Sequence, residues 1–178
     1  MNNISLYILD IVQNSIKSHS SVVDVTIDIN EDNGLLLIEI LDDGDGMNED
    51  ALKKVFDPFY TTRDNRDVGL GLPLFKELCE ICNGRLEIES EIGVGTKVQC
   101  QLDLNSLDLP PLGDLTDLVL TIILNDEDVE LVFKYKKNNK HLIISTYEIK
   151  SKLENVSIQN PIVISWLKEF IKENFNSL

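Results

Sequence analysis

Three short stretches carry residues whose types and spacing could do chemistry. In LDIVQNSIKS (9–18), Asp10, Asn14 and Lys17 follow one another at spacings of four and three. On a helix such residues lie one above the other on a single face. An acid, an amide and an ammonium arranged this way either form the watered side of an amphipathic helix or point together into a polar cleft. In DDGDGM (42–47), Asp42 ends an apolar run and is followed by Gly44 and Gly46. A carboxylate at a strand end is an acceptor that can read an amino group such as adenine's, and adjacent glycines let a flat ring approach the backbone. The alternative is a plain Asp-Gly turn. VGLGLPLF (68–75) is a second glycine turn, opening a helix with Pro73 in its first turn. The backbone N–H groups and positive end of such a helix suit a phosphate, although glycine–helix junctions are common.

The elements that must position these residues are legible from periodicity. Ile8, Leu9, Val12 and Ile16 form an apolar stripe opposite Asp10 and Asn14, predicting a helix over 5–17. VVDVTIDI (22–29) alternates as a half-buried strand, and LLLIEILD (35–42) is a more buried one beyond the turn EDNG. A short helix follows the glycine turn at 42–47, with Asn48 or Asp50 near its start. RDNRD (63–67) reads as a loop, 70–82 as a helix stopped by Asn83-Gly84, and 85–91 and 96–104 as strands. LDLPPLGDL (107–115) clusters two prolines and a glycine, the one plausible boundary. Beyond it come a helix (114–124), a hairpin around Asn138-Asn139 and a final helix. Asn160 and Pro161 open that helix, and Ile164, Leu167, Ile171 and Phe170 are its buried residues, with Trp166 read as core. The layout is an α/β sandwich with a smaller αββα tail.

Composition narrows the function. A formal net charge of -15 repels nucleic acid and anionic membrane surfaces. The densest basic stretch, KYKKNNK (134–140), reads as a hairpin turn. No apolar run has the length of a bilayer span, and the N-terminus lacks a signal pattern. Three cysteines fit a reducing compartment, so the expectation is a soluble, cytoplasmic protein. Cys79 and Cys82 form a CxxC but share the inward face of their helix with Leu72 and Phe75, and two thiolates leave a metal two ligands short. They are expected to be buried and inert, and Cys100, alternating with Val98 and Leu102, to be core.

In their order along the chain the motifs resemble those of the GHKL ATPase superfamily, which includes DNA gyrase, the large heat-shock chaperones, histidine kinases and mismatch-repair ATPases. LDIVQNSIKS is similar to the N box, DDGDGM to the G1 box, FDPFYTTR (56–63) to the F box and VGLGL to the G2 box. GVGTKV (93–98) resembles the terminal Gly-x-Gly-Thr strand. Each match is weak alone, whereas five in order are specific. FDPFYTTR and the stretch from Gly69 to Val98 look most like the histidine kinase catalytic domain, and the whole chain resembles stand-alone bacterial members.

The resemblance implies a two-layer α/β sandwich of the Bergerat type over residues 1–106, a linker at 107–113 and a small α+β extension at 114–178. It also implies ATP and Mg²⁺. Asn14 would ligate Mg²⁺, and Lys17 would approach the phosphates. Asp42 would accept from the adenine amino group, with Gly44 and Gly46 beside it and Thr96 supporting through a water. Gly69, Leu70 and Gly71 would wrap the phosphates at one end of a short lid, and Phe56 and Phe59 would pack its other end. Arg63 and Arg66, within the lid, either touch the terminal phosphate when it closes or are exposed arginines among aspartates. Asp10 departs from the pattern: hydrolytic members place a glutamate there as base, and aspartate is one methylene shorter.

A histidine kinase also needs a phosphoacceptor histidine on a helical hairpin, and neither His19 nor His141 has the flanking acceptor motif. The acceptor is therefore expected in trans, on a separate protein. Three functions remain: a phosphotransferase acting on a partner, a slow ATPase switch, and a non-catalytic ATP-binding regulator. Motif similarity favours the first. The strand that commonly precedes the N box is missing, so an exposed sheet edge, open to a second copy in a homodimer, is a further expectation.

Overall fold

The computed structural model describes residues 3–57, 71–154 and 156–178. Phe59, Arg63, Arg66, Gly69 and Leu70 fall outside the described residues. The elements run α1 (Ile4–Lys17), β1 (Val22–Asn30), β2 (Leu35–Asp42), α2 (Glu49–Lys54), α3 (Gly71–Ile81), β3 (Arg85–Glu91) and β4 (Gly95–Asp103). They continue with α4 (Leu115–Asn125), β5 (Glu130–Lys137), β6 (Lys140–Ser145), α5 (Thr146–Leu153) and α6 (Pro161–Asn176).

The strands form one six-stranded sheet in the order β3-β4-β2-β1-β5-β6. All neighbours are antiparallel except β1 and β5. Alternation decides which face is covered. Val23, Val25, Ile27 and Ile29 of β1 stand in register with Leu36, Ile38 and Ile40 of β2 and with Leu131, Phe133 and Tyr135 of β5, and all are buried. Val98, Cys100 and Leu102 of β4 extend the same surface. Helices α1, α3 and α4 pack against the sheet and α6 against α4, giving the two-layer sandwich. The alternate positions of the strands are half-exposed and carry ion pairs instead: Lys97 to Glu39 at 3.1 Å, Lys136 to Asp28 at 2.7 Å, and Lys134 to Asp24.

The segment after residue 113 is tied to this sheet. Pairing of β5 alongside β1 runs from Val22↔Glu130 to Ile29↔Lys137. The edge of β1 is covered by β5, because Leu131, Phe133 and Tyr135 continue the apolar surface of β1. The outermost strands are β3 and β6. The proline-containing connection is also packed. Leu109 and Leu112 lie against the core, and the carbonyls of Pro111 and Leu112 accept from the backbone N–H groups of Ile4 and Ser5 at 3.0 and 2.8 Å. Those donors belong to the first turn of α1, which has no intrahelical partners for them.

Three expectations for the extension change. It carries one helix more than αββα, because β6 stops at Ser145, whose hydroxyl oxygen accepts from the Glu148 N–H and caps α5. In α6, capped by Asn160 as expected, the buried row is Val163, Leu167 and Ile171, with Ile164 only half-buried. Trp166 and Phe170 are exposed, not core, and stack on each other with ring centroids 5.3 Å apart. Both lie off the row that faces the sheet, and each covers part of the other's apolar surface. Phe175 instead reaches inward, its ring edge-on to Phe133 and Tyr135.

All three cysteines are buried. Cys79 pairs across α3 and β4 with Cys100, Sγ to Sγ 2.7 Å, rather than with Cys82. That contact and burial hold the Cys100 thiol far above the usual thiol range, and burial also raises Cys82. Among the described residues no helix is long and apolar enough to cross a membrane.

If β5 and the rest of the sheet share one core, Phe133→Ala, at a fully buried position, should cost about 3–5 kcal/mol. Chemical denaturation followed by both far-UV circular dichroism and Trp166 fluorescence should show a single coincident transition, shifted in the variant.

Candidate functional site

The site is built around the last residue of β2. Inward positions of that strand read Leu36, Ile38, Ile40 and then Asp42, so the row that fills the core ends in a carboxylate that is only 8% exposed. A buried carboxylate needs donors, and three elements supply them. Asp42 Oδ2 accepts from the Ser15 hydroxyl of α1 at 2.6 Å. Asp42 Oδ1 accepts the Gly44 N–H at 3.0 Å, from the turn, and the Thr96 N–H at 3.2 Å, from β4. Asp42, Gly44 and Thr96, each singled out in the sequence, are thus brought into one cluster.

Ser15 and Ser90 belong to this cluster and were missed. Ser15 stands in the apolar register of α1, after Ile4, Ile8 and Ile11, and is buried with them. A hydroxyl in a buried helical row requires a partner, and that was the available signal. The Ser15 carbonyl in turn accepts the hydroxyls of Ser18 at 2.8 Å and Ser20 at 2.7 Å, which hold the end of α1. Ser90 of β3 occupies an equivalent inward position after Leu86 and Ile88. Its Oγ accepts the Met47 N–H at 2.8 Å and lies 2.8 Å from Thr96 Oγ1 and 3.0 Å from the Gly95 carbonyl.

Two glycines are required where the turns meet. Gly46 has φ +67°, and a Cβ there would collide with the Glu91 carbonyl; Gly95 has φ +132°, and a Cβ there would strike the carbonyl of Asp42. The Gly93 N–H donates to the Asp45 carbonyl at 2.8 Å, so the turn after β2 and the turn before β4 close on each other. The remaining acids of the turn are also engaged. Asp43 Oδ1 accepts the N–H groups of Ser21 and Val22 at 2.7 and 2.8 Å, and Asp45 meets His19 Nδ1 at 2.7 Å on the surface.

Along α1, about 7.5 Å from Ser15 at helical rise, stands Asp10. Its carboxylate lies directly against Gly71, the first residue of α3; a Cβ at Gly71 would collide with Asp10 Oδ2. Asn14 is half-buried on the same side of α1 as Asp10, and Lys17 is exposed. The structure thus brings Asp10 and Gly71 together at one place and Asp42, Gly44, Gly46 and Thr96 at another, joined by α1. Arg63, Gly69 and Leu70 lie outside the described residues. Phe56, after α2, receives Lys76 Nζ of α3 over its ring at 4.5 Å.

A buried carboxylate at a strand end of a two-layer sandwich, glycine turns closed beside it and an acid against a helix start are arrangements that suit a nucleotide. A family model described as histidine kinase-, DNA gyrase B- and HSP90-like ATPase matches residues 2–106. The chain belongs to this family and is an ATP-binding, histidine kinase-like protein. It is 32% identical over 115 residues to the autoinducer 2 sensor kinase/phosphatase LuxQ of Vibrio cholerae, covering 60% of this chain and 13% of that protein. It is 33% identical over 105 residues to sporulation kinase C of Bacillus subtilis, covering 59% of this chain and 24% of that protein. The match thus spans less than a quarter of each relative's length. The N-terminal domain of a DNA repair protein shares the fold, with a TM-score of 0.55, 15% identity, and coverage of 82% of this chain and 53% of that one.

Asp42→Asn should test the cluster. An amide turned toward Gly44, Thr96 or Ser15 puts a donor against a donor, an unsatisfied pair worth about 1–3 kcal/mol. ATP affinity measured by calorimetry should fall about 10- to 100-fold. Affinity equal to that of the parent would remove Asp42 from the binding site.

Proposed function

We propose that the protein binds Mg-ATP in this cleft and transfers the γ-phosphate to a separate partner protein. The observation that carries ATP binding is the Asp42 cluster: a buried acceptor held by α1, the glycine turn and β4, placed where a base edge with an amino group would be read. Transfer to a partner is supported by the relatives, a sensor kinase/phosphatase and a sporulation kinase by name.

Residue roles follow from chemistry and position. Asp42 accepts from the adenine amino group, Gly44 and Thr96 hold it through their N–H groups, and Gly46 lets the turn close beside it. Gly71, at the start of α3, with Gly69 and Leu70 before it, faces the phosphates, where a helix N-terminus favours an anion. Lys17 and Arg63 supply positive charge to the phosphates. An oxygen donor that is half-buried on the same side of α1 as Asp10 fits a hard cation, so Asn14 would hold Mg²⁺. When bound, that ion neutralises phosphate charge, which matters in a chain of net charge -15. Asp10, beside Gly71, would accept the proton that the partner's acceptor side chain loses.

A second reading has its own observation. The carboxylate of Asp10 meets the start of α3, where an acid can equally take a proton from water, giving a slow ATPase that acts as a conformational switch.

Incubation with [γ-³²P]ATP and Mg²⁺, first of the purified protein and then with cell lysate, separates the two readings. Label on a lysate protein is the expected outcome. Free phosphate without labelled protein would establish the ATPase reading and end the kinase one. In either case Asp10→Asn should keep ATP affinity within about twofold and lower turnover by about 100-fold or more, the usual contribution of a positioned base.

A further inference from the structure

We propose that Ser15 is a specificity-determining residue that makes the cleft select a base with a 6-amino group over one with a 6-carbonyl. This rests on the reading of Asp42 as the base acceptor. The argument is a count of lone pairs. A carboxylate offers about four acceptor positions, two on each oxygen. Oδ1 of Asp42 is filled by two backbone donors, the Gly44 and Thr96 N–H groups. Oδ2 takes the Ser15 hydroxyl at 2.6 Å. Among the contacts of the described residues, one position on Oδ2 is left for a ligand. Three donors from three elements fix the plane of the carboxylate, so the remaining position has a set direction.

The backbone donors meet only Oδ1, and Ser15 is the side chain that holds Oδ2. The serine is itself immobilised: it is buried, and its carbonyl holds Ser18 and Ser20 at 2.8 and 2.7 Å. Its hydroxyl has an acceptor for a partner and therefore donates. The open position on Oδ2 is then an acceptor facing the base. An exocyclic amino group satisfies it, while a carbonyl oxygen would set acceptor against acceptor and leave both unpaired, the arrangement that discriminates most strongly. Without the Ser15 hydroxyl the carboxylate can turn, and a water can bridge it to a carbonyl.

The test compares ATP with inosine triphosphate, which carries a 6-carbonyl where ATP has the amino group and, with it, an N1–H donor where ATP has an acceptor. The readout is therefore how the preference changes when the Ser15 hydroxyl is removed. Binding of both is measured by calorimetry for the parent, for Ser15→Ala, and for Ser15→Thr, which restores a hydroxyl. The parent should favour ATP by about tenfold or more, and Ser15→Ala should shrink that preference by about tenfold. Ser15→Thr should recover it. Should Ser15→Ala fold poorly by circular dichroism, Ser15→Cys, which keeps an atom at the γ position and is a much weaker donor, should show the same loss of preference. If a folded variant without the hydroxyl weakens both nucleotides equally and keeps the ratio, Ser15 is merely structural and the proposal is overturned while the cleft assignment survives. A parent that binds neither nucleotide would overturn the cleft assignment and this proposal with it.

Discussion

A carboxylate withdrawn from water must be met by donors, and the whole site is organised around satisfying one of them. Asp42 ends a row of buried aliphatic side chains, so the strand that builds the core also delivers a charge to its edge. Donors then have to come from every direction that the core leaves open. They come from α1 through Ser15, from the turn through Gly44, and from β4 through Thr96. Each contact fixes an element that the apolar packing leaves free to slide. The end of α1 is tied to the end of β2, and the turn after β2 is drawn onto β4. The close approach of the two turns explains why Gly46 and Gly95 cannot carry side chains. The candidate site and the local fold are therefore one set of hydrogen bonds.

The other end of α1 is held from the far side of the chain. Its first turn donates to the carbonyls of Pro111 and Leu112, in the connection that leads into α4, and α4 itself packs against α1. With β5 zipped onto β1 along eight residue pairs, the extension grips the sandwich at the helix layer and at the sheet. One helix thus has its start fastened by the extension and its end fastened by Asp42. Asp10, Asn14, Ser15 and Lys17 lie between or at these two anchors.

Most of the elements were legible because their signals are local. Period-two alternation marks β1 and β4, a 3.6-residue stripe marks α1, and Asn48, Asn83 and Asn160 mark boundaries. Asp42, Gly44, Gly46, Gly71 and Thr96 stood out for another reason, the order of the motifs that carry them, since each motif alone has commoner uses. What stayed hidden is what depends on distant partners. Nothing local says that β5 lies beside β1, since a strand's alternation does not name its neighbour. Ser15 and Ser90 look like small fillers until Asp42 and Thr96 stand opposite them. Trp166 misled because hydrophobic size predicts burial only on average, and the row of α6 that faces inward is one residue away.

The acids of DDGDGM pose a physical difficulty for a cleft that must take a triphosphate, since three carboxylates lie within four residues of a chain that is already strongly negative. The structure meets it by using each as a fastener. Asp42 is surrounded by donors, Asp43 holds the first two N–H groups at the start of β1, and Asp45 meets His19. A carboxylate bound to N–H groups shares its charge with their dipoles, and at short range its field is partly cancelled by them. Asp10 follows the same logic, because it lies against the first residue of α3, where the helix end is positive. The acidic stretch thus projects less negative potential than its composition implies. The same contacts that reduce the potential are the ones that set the geometry.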